Sequence, residues 1–203
     1  MQQYTSKVII LLLLISALAN AQIDRNELYG KVKSKFAGLK TLFVKYDTQS
    51  GMKGSIKVKR TGKYVINLGE TMIYCNGKTN WNMNYPQRRV TIDNVIKGSE
   101  NSMVEDLFFT VIGNSTPTSV SKSNGKNAYQ LDLELNQDAA KKVQNIKNIQ
   151  IYCDDNGNIS KLKFKYSNRN EELRIQNITF NPTLTDKVFD LTPPQGFQVI
   201  DLR

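Results

Sequence analysis

Apolar and polar residues alternate through most of this chain. "TLFVKYDT" places Leu42, Val44 and Tyr46 on one side. "GSIKVKR", "KYVINL", "TMIYC", "TNWNMNY" and "RVTIDNV" repeat the period of two, and so do "AYQLDLELN", "NIQIYC", "ISKLKFKY" and "EELRIQNITF" further on. This spacing predicts strands with one apolar face. Asn76-Gly77 and Asn156-Gly157 sit between such runs, and both residues of an Asn-Gly pair tolerate positive φ, so each marks a hairpin. "PPQGFQVIDL" reads as a closing strand, and "GNSTPTSVSKSNG" as a polar loop with one edge strand at most.

Two segments break the pattern. After Asp24, Leu28, Val32, Phe36 and Leu39 recur at helical spacing, and Asp24 to Glu27 has the form of a capping box. In "SENSMVEDLFFTVI", Met103, Leu107 and Val111 form one stripe behind a second capping box, Ser102 to Glu105. "QDAAKKVQN" adds one helical turn. The expectation is a mainly β fold: a curved antiparallel sheet of about ten or eleven strands, an incomplete barrel, with short α-helices as a lid on its concave apolar face.

The faces are unequal. Lys57, Lys59, Lys161, Lys163 and Lys165 fall on the wet side. Roughly two dozen large apolar residues share the other, against about eight on the helices. The excess favours a half-barrel holding an apolar cavity. Its expected lining is Val44, Tyr46, Ile56, Val58, Tyr64, Ile66, Trp81, Met83, Leu131, Leu133, Ile151 and Phe164, with Tyr85, Val90 and Ile92 on the same face. The expected lid residues are Leu28, Val32, Phe36, Met103, Leu107 and Val111.

The N-terminus changes the domain picture. "MQQYTSKVIILLLLISALANA" has Lys7, a short apolar run and a small-x-small site at Ala19-Asn20-Ala21. It reads as a signal peptide over residues 1–21, leaving a single domain at 22–203, soluble once cleaved. The apolar run is shorter than the roughly 20 residues of a membrane span.

The net charge of +10 falls by one with Lys7. For an exported protein this points to an anionic surface or acidic partner rather than nucleic acid. Cys75 and Cys153 each precede a turn; they are either a disulfide or two buried thiols. Histidine is absent, which removes Ser-His and Cys-His nucleophile pairs and His-ligated zinc. With no P-loop or GxGxxG either, no enzyme, cofactor or metal site is expected. Arg60 poses a separate question, because alternation puts it at the edge of the oily face. It either snorkels from a frayed strand end or has a partner there.

Three motifs then meet in order. "NGKTNWNMNYP" resembles the "DGKTxWxYxP" stretch of the LolA family of periplasmic lipoprotein carriers. "SIKVKRTGKYVI" is similar to its strand and basic turn, with Thr61 where the family favours proline. "FDLTPPQGFQVID" resembles its "FxFxPPxGxxVxD" tail. The resemblance implies an incomplete barrel that shelters acyl chains, in the periplasm of a Gram-negative cell. It implies a monomer that receives outer-membrane lipoproteins from a LolCDE-like inner-membrane transporter and passes them to a LolB-like acceptor. It also implies a role for Arg60, as a latch bonded to lid backbone at the cavity mouth. The same fold could instead serve a lipid-binding sensor or envelope regulator, or a carrier of another lipid or glycolipid.

Overall fold

The structure, a computed structural model, describes residues 23–95, 106–125, 127–143, 146–166 and 169–203. The expected signal peptide, the Ser102–Glu105 capping box and Met103 lie outside the described residues.

Helix α1 spans Arg25–Phe36. The Asp24 carboxylate caps it, accepting from the backbone N–H of Asn26 and Glu27 at 2.8 and 2.9 Å, which satisfies two donors that no helical carbonyl can reach. Six strands follow: β1 (Thr41–Thr48), β2 (Lys53–Lys59), β3 (Lys63–Asn67), β4 (Thr71–Asn76), β5 (Thr79–Asn84) and β6 (Arg89–Asn94). A π-helical turn covers Asp106–Val111. Then come β7 (Ser115–Lys122), β8 (Ala128–Leu135), the short helix α2 (Gln137–Lys142), β9 (Ile146–Asp154), β10 (Ile159–Tyr166) and β11 (Arg169–Phe180). A 3-10 turn at Asp186–Phe189 and β12 (Gln198–Asp201) complete the chain.

All twelve strands form one open sheet in the order β12-β6-β5-β4-β3-β2-β1-β11-β10-β9-β8-β7. It is an open half-barrel, mainly β, with short helices. Two details differ from the sequence reading. The segment after Asn114 holds the one edge strand the pattern allowed, β7, and the strands number twelve rather than ten or eleven. The closing strand pairs with β6 in parallel, Val199 beside Val90, so the sheet is not wholly antiparallel.

The inner face carries the main core. Paired residues share a face, so the register traces it from strand to strand. Val44 pairs with Ile56, Ile56 with Ile66, Val58 with Tyr64, and Tyr64 with Cys75. On the other half Leu131 pairs with Ile151, and Ile151 with Leu162. Over this face lies α1, with Leu28, Tyr29, Val32 and Phe36 buried. The Tyr29 hydroxyl donates to the Ile112 carbonyl at 2.7 Å and accepts from the Ser115 N–H at 3.3 Å, tying α1 to the π-turn and β7. Gly157, at φ +73°, turns β9 into β10 directly beneath α1. A Cβ there would stand 2.8 Å from the Val32 nitrogen, so only glycine lets helix and turn meet.

A second apolar cluster lies on the opposite, outer face. Tyr74 pairs with Trp81 and Met72 with Met83; Trp81 pairs with Ile92 and Met83 with Val90. These side chains continue the face of Val65 and Lys57, and Leu191 and Phe197 of the C-terminal segment cover them. That segment crosses the outer face as a strap. The Asn181 side chain accepts from the Lys40 N–H at 2.8 Å, and Asp186 bridges Lys59 and Lys63 at 2.8 and 2.9 Å. Asn76 donates to Asp190 at 2.8 Å, and Phe189 is fully buried.

Candidate functional site

The inner face and its lid form the candidate site. Of the expected lining, Val44, Tyr46, Ile56, Val58, Tyr64, Ile66, Leu131, Leu133, Ile151 and Phe164 join one cluster with Leu28, Val32, Phe36, Leu107 and Val111 of the cover. None of them is more than 8 % exposed, so sheet and cover bury one another's apolar side chains. Beside the end of α1 a groove of about 250 Å³ is lined by Lys35, Ile159, Ile175, Ile178 and Phe180 together with the polar Asn158, Gln176 and Asn177.

Trp81 and Met83 are corrected. They lie on the outer face, under the strap, with Val90 and Ile92. The alternation within β5 is as read, but its phase is set by pairing through β4. There Cys75 continues the inner face from Tyr64 and pairs with Asn80, which leaves Trp81 on the other side. The inner face becomes polar at that point, where the Tyr64 hydroxyl donates to Asn80 Oδ1 at 3.1 Å. Tyr85, also read into the inner face, is exposed and packs edge-on against Phe197.

Of the two readings of the cysteines, the structure shows the buried thiols. Both are buried, with Cys75 on β4 and Cys153 on β9, six strands apart in the sheet order. At roughly 4.8 Å per strand they are far beyond the ~7 Å that a disulfide allows between Cα atoms. Burial, reinforced by the Asp154 charge, pushes the Cys153 thiol up to about 12. Burial likewise pushes the Tyr46 phenol up to about 12, with Glu171 adding to it.

Arg60 follows β2 at the lip of the inner face. Its backbone N–H donates to the Lys40 carbonyl at 2.9 Å. Its Nε donates to the Leu39 carbonyl at 2.9 Å, just past the end of α1. Its guanidinium carbon stands 4.9 Å from the centre of the Phe109 ring, in the π-turn. One side chain thus touches both segments of the cover. Guanidinium to carbonyl is a charge-assisted bond, and guanidinium over a ring is a cation–π contact.

Phe108, Phe109 and Ile112 were not read from the sequence as cover residues, yet all three are buried. A one-stripe helix pattern finds only every third or fourth position. This turn is buried on nearly all sides, and the unbroken run "LFF" was the available signal.

Fold and site define an open β half-barrel with one apolar face under a cover. The chain belongs to the family described as outer membrane lipoprotein carrier protein LolA, which it matches over residues 34–192. No curated protein matches it. Among solved structures it is similar to an uncharacterized conserved protein from Thermus thermophilus, at 10% identity and TM-score 0.49, over 87% of this chain and 98% of that one. A LolA superfamily protein from Nitrosomonas europaea is 12% identical with TM-score 0.41, over 84% and 99%. LprF from Mycobacterium bovis is 9% identical with TM-score 0.46, over 79% and 94%. The family is one of binding and carrier proteins, not enzymes. Among the described residues, no helix is long and apolar enough to cross a membrane.

Proposed function

We propose that this protein is a periplasmic carrier chaperone. It shields the acyl chains of outer-membrane lipoproteins between sheet and lid and moves them from inner to outer membrane. On this reading residues 1–21 are the export signal, and the mature chain starts near Gln22. A LolCDE-like transporter loads it and a LolB-like acceptor unloads it.

The physical need is large. At about 0.8 kcal/mol per methylene, one sixteen-carbon chain costs on the order of 12 kcal/mol to expose to water. A carrier must offset that cost and still release its cargo. The observation that carries the reading is Arg60 joined to both cover segments, through Leu39 and Phe109, at the rim of an apolar inner face. These polar bonds belong to the closed, empty state. Loading breaks them, which keeps the loaded state from becoming too deep a well.

The test is transfer in vitro. Inner-membrane vesicles bearing a labelled triacylated lipoprotein are incubated with the protein, the transporter and ATP. Cargo moving into the supernatant in a one-to-one complex supports the carrier reading. Cargo that stays with the vesicles at every protein concentration overturns it.

A further inference from the structure

The C-terminal strap covers the outer face of β3 to β6 and leaves that of β1, β11, β10 and β9 facing solvent. Cross-strand pairing sets what this open half presents. Phe43 stands opposite Lys57, Arg174 opposite Lys161, and Lys161 opposite Tyr152. Lys45, Lys163 and Lys165 share the same face through their alternation with these residues. Lys45 is exposed, and Lys57, Lys161 and Lys165 are half-exposed.

Among the described residues the field is net positive. Glu172 sits among these cations and bridges Lys163 at 3.3 Å and Arg174 at 2.8 Å. Asp47 is held by the Gln176 amide, and Asp132 on β8, bonded by Ser119, Gln130 and Gln150, marks the border. No carboxylate among the described residues pairs with Lys45, Lys57, Lys161 or Lys165. Two rings lie between the lysines. Lys45 and Lys57 stand 5.9 and 6.0 Å from the centre of Phe43, and Lys161 and Lys163 stand 3.8 and 5.6 Å from that of Tyr152.

We propose that the outer face of β1, β11, β10 and β9, with Lys57 of β2 beside it, is a docking surface for an anionic phospholipid leaflet. Charge complementarity commits it to an anionic occupant. The kind of cation favours lipid over an acidic protein. The unpaired charges are lysines, compact and on flexible stems, whereas Arg174, whose fork could fix a carboxylate in one geometry, is spent on Glu172. Lysines spread over a sheet suit mobile headgroups that need no fixed positions, and half-buried rings between them suit the headgroup boundary. Because the cargo face is the opposite one, docking keeps the protein near a membrane without occupying its lid.

The experiment is co-sedimentation with vesicles of phosphatidylglycerol and phosphatidylcholine, compared with phosphatidylcholine alone, across a salt series. The full chain is used as the cell exports it, so any N-terminal contribution is common to all variants. Binding is expected to the anionic vesicles only, at about 50 mM salt, and to be lost by about 0.5 M as screening tightens. Each lysine at such a surface is worth about fivefold in partitioning, so Lys45→Gln, Lys57→Gln, Lys161→Gln and Lys165→Gln together should weaken binding at least thirtyfold. A control with Lys33→Gln, Lys78→Gln, Lys122→Gln and Lys187→Gln has the same net charge and should bind within a few-fold of wild type. Absent or salt-insensitive binding of the wild-type chain overturns the proposal, whatever the variants do. So does equal binding to both vesicle types, or a control that loses as much as the test variant.

Discussion

Replacing Arg60 with leucine removes one side chain from the lip and tests what holds the cover shut. Two contacts are lost. The Nε–Leu39 carbonyl bond at 2.9 Å is charge-assisted and worth about 1.5–3 kcal/mol net. The contact with the Phe109 ring at 4.9 Å is worth about 0.5–1 kcal/mol at an exposed site. Arg60 lies at the solvent edge, so the lower ends apply, and the closed state loses about 2 kcal/mol in total. That is about thirtyfold in any equilibrium between closed and open cover. The leucine also adds apolar surface where an acyl chain enters. Loading should therefore persist or strengthen by about thirtyfold, and handover to an acceptor should fail by the same factor. The empty protein should melt about 4–8 °C lower, at roughly 2–4 °C per kcal/mol for a chain of this size. Arg60→Lys, which keeps the charge without the directed Nε bond, should fall between. The assay is labelled cargo left on each variant after incubation with acceptor-bearing vesicles. If Arg60→Leu releases cargo as fully as wild type, the latch is wrong, whatever its melting temperature.

Three other perturbations follow from the geometry. Gly157→Ala sets a Cβ 2.8 Å from the Val32 nitrogen at φ +73°, so α1 should lift and its amides should exchange with deuterium at least tenfold faster, with a loss of roughly 2–3 kcal/mol; unchanged exchange refutes the close contact. Lys59 and Lys63 lower Asp186 to about 2, so its anchoring of the strap is complete above the ordinary aspartate range near pH 4 and fades as pH falls towards 2. Emission from Trp81, half-buried under that strap, should shift red over this acid window and stay unchanged when an acyl ligand binds; a ligand-induced blue shift would return Trp81 to the cavity. With Cys153 raised to about 12 and both thiols buried, a thiol reagent at pH 8 should react slowly with the native protein and label two cysteines in denaturant without reductant; labelling that needs a reductant means a disulfide.

Much of the sheet was legible because period two survives wherever one face is dry and the other wet. Val44 and Tyr46 in β1, Ile56 and Val58 in β2, and Leu162 and Phe164 in β10 alternate with lysines or other polar residues, and each pattern lies in the strand that the structure shows. What alternation cannot carry is phase. It says that Trp81 and Met83 share a face, and only the pairing through β4 says which one. Strands β4 to β6 are apolar on their outer face because the strap buries it, and "PPQGFQVIDL" gives no local sign of crossing the sheet to pair in parallel with β6. Arg60 was legible as an anomaly, a cation on the apolar side of its strand. Its partners were not, since Leu39 and Phe109 are brought to it by the chain's path over the sheet.

The carrier account is tested most directly by native mass spectrometry of the protein isolated from the cell envelope without detergent. It predicts two populations, the free chain and a one-to-one complex whose added mass is that of a triacylated lipoprotein, with the complex accumulating for Arg60→Leu. Free phospholipid or glycolipid in place of lipoprotein would contradict it, as would a protein that carries nothing in either form.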